Sequence, residues 1–263
     1  MFKDITIGQY VDGNSAIHKM DARVKILLSM AYVIILFVIN SMGAYAVYAL
    51  FTAFIIYLSK VPLKYIIRGL KPMLYILIFT VLINLFMTGG DTVLWQFHSL
   101  KITKEGAVAA LQMLLRLVFL VMGTSLLTLT TTPLMLTDGI EKLLKPFNAI
   151  KVPSHEIAMM MTIAIRFIPT LSEETEKIMK AQMARGADFE SGNIFRRTKA
   201  MVPILVPLFI SAFKRADDLA IAMDSRCYNS GEKRTRMKEM KMTWRDAVGA
   251  AVMLVFCAAA VLV

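Results

Sequence analysis

Two arginines stand between small residues at the ends of two long helical stretches in the middle of the sequence. The first triplet is Ala184-Arg185-Gly186 and the second is Ser225-Arg226-Cys227. Each arginine follows an apolar residue of its helix by seven positions, close to two turns, so it projects from the end of an apolar face. A cation there can contact a soluble partner, or it can only complement the helix dipole. The repetition in matching register favours the first role.

The other residues that could do chemistry are isolated. Arg116 lies within an apolar run, where an arginine is either functional or snorkels to the nearby interface, and both interpretations stay open. The sequence has no phosphate-binding glycine loop, no nucleophile elbow and no His-Glu-x-x-His zinc motif. The histidines and cysteines show no metal-ligand spacing. We therefore predict no catalytic centre, no cofactor and no metal site.

Two amphipathic helices must position the arginine triplets. The first runs from Ser154, which we expect to cap it, to Arg185, and its second half is too charged to cross a bilayer. Its stripe consists of Leu171, Thr175, Ile178 and Gln182. We expect the second helix to begin near Pro207. Its apolar stripe consists of Phe209, Phe213, Ala216, Leu219, Ala220 and Met223. The pair is suited to transmit force between a membrane assembly and a soluble partner.

The composition indicates a membrane protein. Of the 263 residues, 57% are hydrophobic and 19% are charged, with a mean hydropathy of +0.61 and a net charge of +11. A soluble domain of this size is usually less apolar. Five apolar runs are candidate transmembrane helices: Val24–Ile39, Ala44–Leu58, Met73–Met87, Val108–Leu129 and Ala247–Val263.

Basic residues between these runs predict the orientation. Four of them, and no acid, lie between the second and third runs: Lys60, Lys64, Arg68 and Lys71. The positive-inside rule places this connection in the cytoplasm. The N-terminus then lies inside and residues 130–245 are cytoplasmic or interfacial, whereas residues 88–106 and Val263 face outward. We expect neither a cleaved signal peptide nor a tail domain after the last run.

Three further features complete the pattern. Thr132-Pro133 starts a short elbow helix that reaches Lys145, with threonine as its cap. The polar residues before the first run form either a juxtamembrane collar or a functional group: Ser15, His18, Asp21, Arg23 and Lys25. Methionine either fills gaps in a core or suits a surface that packs against several partners. Five methionines lie on the first long helix: Met159, Met160, Met161, Met179 and Met183.

The order and spacing of four motifs resemble the transmembrane T component of energy-coupling factor (ECF) transporters, which are prokaryotic micronutrient importers. The opening motif is Gly8-Gln9-Tyr10 followed by the polar residues above, with Ala22 where the family usually has proline. The elbow motif is Thr131-Thr132-Pro133 with Asp138, Gly139, Leu143 and Pro146.

The other two motifs belong to the long helices, so the resemblance covers nearly the whole chain. The first comprises Arg166-Phe167-Ile168-Pro169, Glu173, Ala181-Gln182 and Ala184-Arg185-Gly186. The second comprises Pro207-Leu208, Arg215-Ala216-Asp217, Ala222-Met223 and Ser225-Arg226-Cys227-Tyr228. In the second motif Ser225 and Cys227 replace the alanine and glycine that are usual in the family.

The resemblance implies a non-catalytic scaffold that joins two cytoplasmic ABC ATPases to a substrate-binding membrane S component. Each arginine triplet would insert into a groove of one ATPase, and the unequal triplets suggest an ATPase heterodimer. The five methionines would face the S component. ATP, bound by the ATPases, would move the two coupling helices and reorient the S component for vitamin uptake. No nucleic acid is expected as a partner.

The predicted fold is therefore an all-α membrane protein of the prokaryotic plasma membrane, with about five transmembrane helices, two long crossing helices and a short elbow. Residues 1–130 would hold four spans, 131–242 a cytoplasmic coupling domain and 243–263 the final span. The alternative is a membrane-embedded lipid-modifying enzyme, in which Arg116 and Arg166 hold the phosphate of the lipid and His155 acts as the base. A self-contained secondary carrier is less consistent with the sequence, which lacks duplicated halves and intramembrane acids.

Overall fold

Helices make up most of the computed structural model, which describes residues 10–89, 92–97, 100–150, 153–189, 193–228 and 242–262. In chain order they are α1 (Ala22–Val38), α2 (Met42–Ser59), α3 (Leu63–Leu70), α4 (Leu74–Met87), α5 (Lys104–Thr130), α6 (Pro133–Leu144), α7 (Ser154–Ala184), α8 (Ile194–Ser225) and α9 (Trp244–Leu262). An antiparallel hairpin of β1 (Val93–Phe97) and β2 (Leu100–Thr103), which the sequence reasoning missed, joins α4 to α5. The predicted helical membrane fold is confirmed.

Four of the described helical segments are long and apolar enough to cross a membrane. They are Met42–Ser59, Leu63–Met87, Lys104–Thr130 and Trp244–Leu262. These segments contain three of the five predicted apolar runs and the fourth, Ala247–Val263, up to Leu262, since Val263 lies outside the described residues. The fifth run forms α1, whose 17 residues lie at the lower end of the usual length of a transmembrane helix.

The described residues divide into two compact units, one of residues 10–140 with 242–262 and the other of residues 141–228. The predicted domain limits at residues 130 and 242 stay predictions. In the first unit, α1, α2, α5 and α9 share an aromatic core that includes Tyr32, Tyr48, Phe119 and Phe256. The buried Tyr48 hydroxyl donates to the Tyr32 carbonyl oxygen at 3.0 Å, so this polar group is satisfied inside an apolar core.

Helices α7 and α8 make up most of the second unit and pack against each other. The predicted start of the second long helix near Pro207 is wrong, because α8 begins at Ile194 and contains Pro203 and Pro207 in its interior. A long helix tolerates interior proline by bending locally. A proline alone therefore does not locate the first residue of a helix. The predicted Ser154 cap is also wrong: Pro153 occupies the N-cap position of α7 and makes no side-chain capping bond.

Candidate functional site

The first arginine triplet forms a tightly closed helix end. Arg185 is the last residue before the chain turns, and Gly186 has a positive φ of 86°. The Gly186 N–H donates to the Met183 carbonyl and the Ala187 N–H to the Gln182 carbonyl, both at 3.0 Å. This pair of bonds is the Schellman motif, which satisfies the last carbonyl groups of the helix. The exposed Arg185 side chain is therefore not required to cap its own helix.

The second triplet closes α8 with the same bonds. The Cys227 N–H donates to the Asp224 carbonyl, and the Tyr228 N–H to the Met223 carbonyl, both at 2.9 Å. Cys227 adopts a φ of 53°, in the left-handed region that glycine occupies in the first triplet. Replacement of the usual glycine by cysteine therefore leaves the turn intact, although a left-handed residue with a Cβ costs about 1–2 kcal/mol.

The two helix ends thus display their arginines from equivalent backbone positions. All six residues of the triplets are exposed: Ala184, Arg185, Gly186, Ser225, Arg226 and Cys227. A guanidinium carries five N–H donors in a fixed planar arrangement, which suits it to bind carboxylates and carbonyl groups of another protein. The structure places these residues as the sequence predicted, and their binding role stays a prediction.

A polar link between α7 and α8 was not predicted as a contact. Arg215 Nη2 donates to Glu174 Oε2 at 2.9 Å, and the Ser211 hydroxyl donates to Glu174 Oε1 at 2.6 Å. The Ser211 hydrogen bond and the Arg215 charge hold the pKa of Glu174 below its usual value. Although Arg215 belongs to a recognised motif, no local signal connects it to a carboxylate 41 positions earlier.

The five methionines do not form one uniform surface. Met160 and Met183 are exposed, while the other three are half-buried. The Tyr228 hydroxyl donates to Met159 Sδ at 2.6 Å, so Met159 has a partner within its own unit. A longer apolar surface lies on α8, which we call the apolar row. Its large side chains are 48–68% exposed: Leu205, Val206, Phe209, Ile210, Phe213 and Ile221.

The polar residues before α1 form a buried junction in the first unit. The Ser15 hydroxyl and the Val11 carbonyl contact the two ring nitrogens of His18 at 2.7 and 3.0 Å. Lys25 Nζ donates to the carbonyl oxygens of His18 and Thr130 at 3.2 and 2.9 Å. The start of α1 is therefore fixed to the end of α5, so these residues join two helices, a role that differs from both the predicted juxtamembrane collar and the predicted functional group.

Asp246, which the sequence reasoning did not single out, extends this junction to α9. Its buried carboxylate accepts the Asp21 N–H at 2.8 Å and the Thr243 N–H at 2.7 Å. The same carboxylate thus caps the start of α9 and holds the residue before α1. An acid three residues after threonine is the local signal of such a cap.

Two of the three residues proposed for a lipid-modifying enzyme, Arg116 and His155, have other partners. Arg116 Nη2 donates to the Ile39 carbonyl at 2.9 Å and to Asn40 Oδ1 at 3.1 Å, so this arginine fastens the connection between α1 and α2. His155 Nδ1 lies 3.2 Å from Glu141 Oε1, and Arg166 is exposed on α7. Within the described residues, no group of three or more His, Cys, Asp or Glu side chains could hold a metal ion.

Comparison with known proteins identifies the family to which these features belong. The family model CbiQ, described as a cobalt transport protein, matches residues 13–237, which include both arginine triplets. The chain belongs to the CbiQ family. Several curated relatives of the chain are named as parts of one class of transporter.

Three of these CbiQ-family relatives carry the name energy-coupling factor transporter transmembrane protein EcfT. The Clostridium kluyveri relative is 57% identical over 263 residues, covering 100% of this chain and 97% of its own length. The Thermosediminibacter oceani relative is 58% identical over 244 residues, covering 93% and 92%. The Bacillus subtilis relative is 47% identical over 246 residues, covering 94% and 93%. The predicted resemblance to ECF T components is confirmed, and the chain is a membrane subunit of a transporter.

Proposed function

We propose that this chain couples two cytoplasmic ABC ATPases to a substrate-binding membrane subunit and drives micronutrient uptake. The observation that carries the proposal is the equivalent construction of two helix ends, each with an exposed arginine immediately before a left-handed turn. Two equivalent ends suit two homologous ATPases, and the difference between Gly186 and Cys227 suits a heterodimer. Each triplet would occupy a groove on one ATPase.

The two helices are suited to act as levers. At 31 and 32 residues, α7 and α8 are each about 46–48 Å long at ~1.5 Å per residue. The Schellman turns hold each arginine at a fixed backbone position, so movement of an ATPase is passed to the helix and not absorbed by a loose end. ATP would be bound by the ATPases, and this chain would supply neither a cofactor nor a catalytic group.

The substrate-binding subunit would contact the exposed apolar surface of this unit. Met160 and Met183 are the most exposed of the predicted contact methionines, and the apolar row on α8 provides a larger area. Flexible methionine side chains suit a surface that receives different substrate subunits. On this proposal the N-terminus and the coupling helices lie in the cytoplasm.

A pull-down from native membranes tests the coupling function. A tag on the N-terminus should recover two ABC ATPases and a small membrane protein, identified by mass spectrometry. Arg185→Ala/Arg226→Ala should lose the ATPases, because truncation of a buried interfacial charge typically costs about 2–5 kcal/mol. Membrane insertion should be unchanged.

The matched control is Lys177→Ala/Lys214→Ala, which removes two exposed cations from the bodies of the same helices. It should retain the ATPases if position at the helix end matters, and lose them if net charge alone matters. The proposal would be overturned if the double arginine variant recovered both ATPases at wild-type levels. It would also be overturned if the wild type and both double variants recovered the chain without any ATPase.

A further inference from the structure

A row of four cations follows the end of α2 and lies along α3. Lys60, Lys64, Arg68 and Lys71 are spaced by four, four and three positions, which places the last three on one side of a helix. All four are exposed. The sequence contains no aspartate or glutamate from residue 22 to residue 90, and within the described part of the chain none of the four forms an ion pair. Among the described residues, this basic row is therefore a positive surface without a paired acid.

An apolar groove of about 670 Å³ adjoins the row in the same unit. Its walls come from α2, α5 and the start of α3, and include Ala53, Ile56, Phe119 and Met122. Lys60, the first cation of the basic row, is also part of the wall, so the groove adjoins the start of the row. None of the described residues that line the groove carries a carboxylate. Its volume falls within the range of about 300–1,000 Å³ that is usual for small-molecule sites.

We propose that the groove and the basic row bind one anionic phospholipid. One acyl chain occupies the groove between α2 and α5, and the phosphate of the headgroup contacts Lys60, Lys64 and Arg68. The groove lies on two segments that are long and apolar enough to cross a membrane, Met42–Ser59 and Lys104–Thr130, so in a bilayer hydrocarbon would surround it. Basic pockets between transmembrane helices on the cytoplasmic side are a known setting for anionic headgroups.

Charge decides between a lipid and a protein as the occupant. The positive-inside rule accounts for an excess of cations in this connection, but it does not account for an apolar groove that begins at Lys60. A transmembrane helix of another protein could fill the groove, yet its apolar face would leave the basic row without counter-charge. An anionic phospholipid fills the groove with an acyl chain and supplies the counter-charge of the basic row with its phosphate. This site is separate from the arginine triplets, so the proposal does not depend on the coupling function.

Photo-cross-linking of the full-length chain in lipid nanodiscs tests the proposal. The probe is phosphatidylglycerol with a diazirine on one acyl chain, and the matched zwitterionic probe is phosphatidylcholine with the same chain. Peptide mapping should place the phosphatidylglycerol cross-links on α2 and α5 around Ala53 and Met122. Lys64→Gln/Arg68→Gln should reduce them roughly tenfold or more, since each basic residue near an anionic surface contributes on the order of fivefold.

Two controls separate this site from general lipid contact. Lys142→Gln/Lys145→Gln removes the same charge from exposed positions outside the basic row and should leave labelling unchanged. Ala53→Trp should fill the groove and abolish the cross-links, whereas Ala46→Trp, an exposed α2 position outside the groove, should not. Equal labelling by both probes, insensitivity to Ala53→Trp, or cross-links from the groove to another protein in place of lipid would each overturn the proposal.

Discussion

At the scale of single residues, the structure distinguishes two roles for the triplet arginines, namely closing their own helix ends and contacting a partner. A cation at the end of a helix complements the dipole, but the last carbonyls of α7 and α8 already accept backbone bonds from the Schellman turns. The turn and not the arginine closes each helix. Arg185 and Arg226 therefore contribute little to closing their own helix ends, and their matched, exposed positions favour a partner as the reason for their presence.

Cys227→Gly should stabilise the end of α8. Glycine adopts the observed φ of 53° without the clash that a Cβ causes, a gain of about 1 kcal/mol. Hydrogen–deuterium exchange should show roughly fivefold slower exchange of the amides at 227 and 228. Conversely, Gly186→Ala should speed exchange at 186 and 187 by a similar factor. Cys227→Ala is the control, because it removes the thiol and keeps the Cβ. If it slows exchange as much as glycine does, backbone strain is not the cause.

At the scale of the elements, the link from Glu174 to Arg215 and Ser211 should make the packing of α7 on α8 dependent on pH. The pKa of Glu174 is lowered in the folded chain, so its stabilisation is complete above the ordinary value of 4.5. It is lost as the pH falls through the lower folded pKa. The pair is partly exposed, so the loss should be about 0.5–1 kcal/mol.

Thermal unfolding in detergent at pH 7 and at pH 3 measures this effect. The wild type should lose more stability between the two values than Glu174→Gln, which cannot ionise. Glu173→Gln is the control, since its side chain is exposed one position away from the link. An equal pH dependence in the wild type and Glu174→Gln would show that the link contributes nothing.

The apolar row on α8 carries a prediction that rests on the proposed function. Phe209→Ser/Phe213→Ser should release the substrate-binding subunit in the pull-down while both ATPases remain bound. Phe209 and Phe213 are 63% and 66% exposed here, and burial of each ring against a partner is worth about 1.5–3 kcal/mol. Phe195→Ser, at an 88% exposed position near the start of α8, should have no effect. Retention of the substrate-binding subunit by the double variant would contradict this assignment.

Local signals predicted some of these elements and missed others for identifiable reasons. Thr132-Pro133 predicted the start of α6, and Thr132 Oγ1 accepts the Met135 N–H at 3.3 Å. The contact of Glu174 with Arg215 depends on how two helices pack, so no local pattern contains it. The predicted start of α8 at Pro207 is 13 residues late, because a proline before an apolar stripe is typical of a helix start whereas α8 carries Pro207 in its interior. The left-handed Cys227 was foreseeable only by analogy with Gly186, since its side chain disfavours that conformation.

At the scale of the whole molecule, buried contacts determine which helix ends share a side of the membrane-spanning unit. Lys25 at the start of α1 donates to Thr130 at the end of α5, and Asp246 at the start of α9 accepts from the residue preceding α1. Arg116, nearer the other end of α5, donates to the connection between α1 and α2. Helix α1 therefore runs along α5 despite its 17 residues, which supports the fifth predicted span.

These contacts do not determine which face of this unit is cytoplasmic. The distribution of charged residues predicts that face. Val61, which follows α2, shares a buried cluster with Leu129, so the basic row lies at the face where α1 begins and α5 ends. That face therefore combines the N-terminal polar junction, the four cations and both connections to residues 131–243. The positive-inside rule then predicts that all of them are cytoplasmic.

Cysteine labelling in vesicles of known orientation tests this assignment. In vesicles from cells that express this chain without the ATPases, and in a Cys257→Ala background, the exposed Cys227 should react with a membrane-impermeant maleimide when the vesicles are inside-out. It should be protected when they are right-side-out. Thr92→Cys with Cys227→Ala, at an exposed position before β1, should show the opposite pattern. Because buried contacts join the helix ends, inversion of the charge assignment would exchange both patterns. Labelling of Cys227 and Thr92→Cys from the same side would instead refute the span count, since an odd number of crossings must separate them.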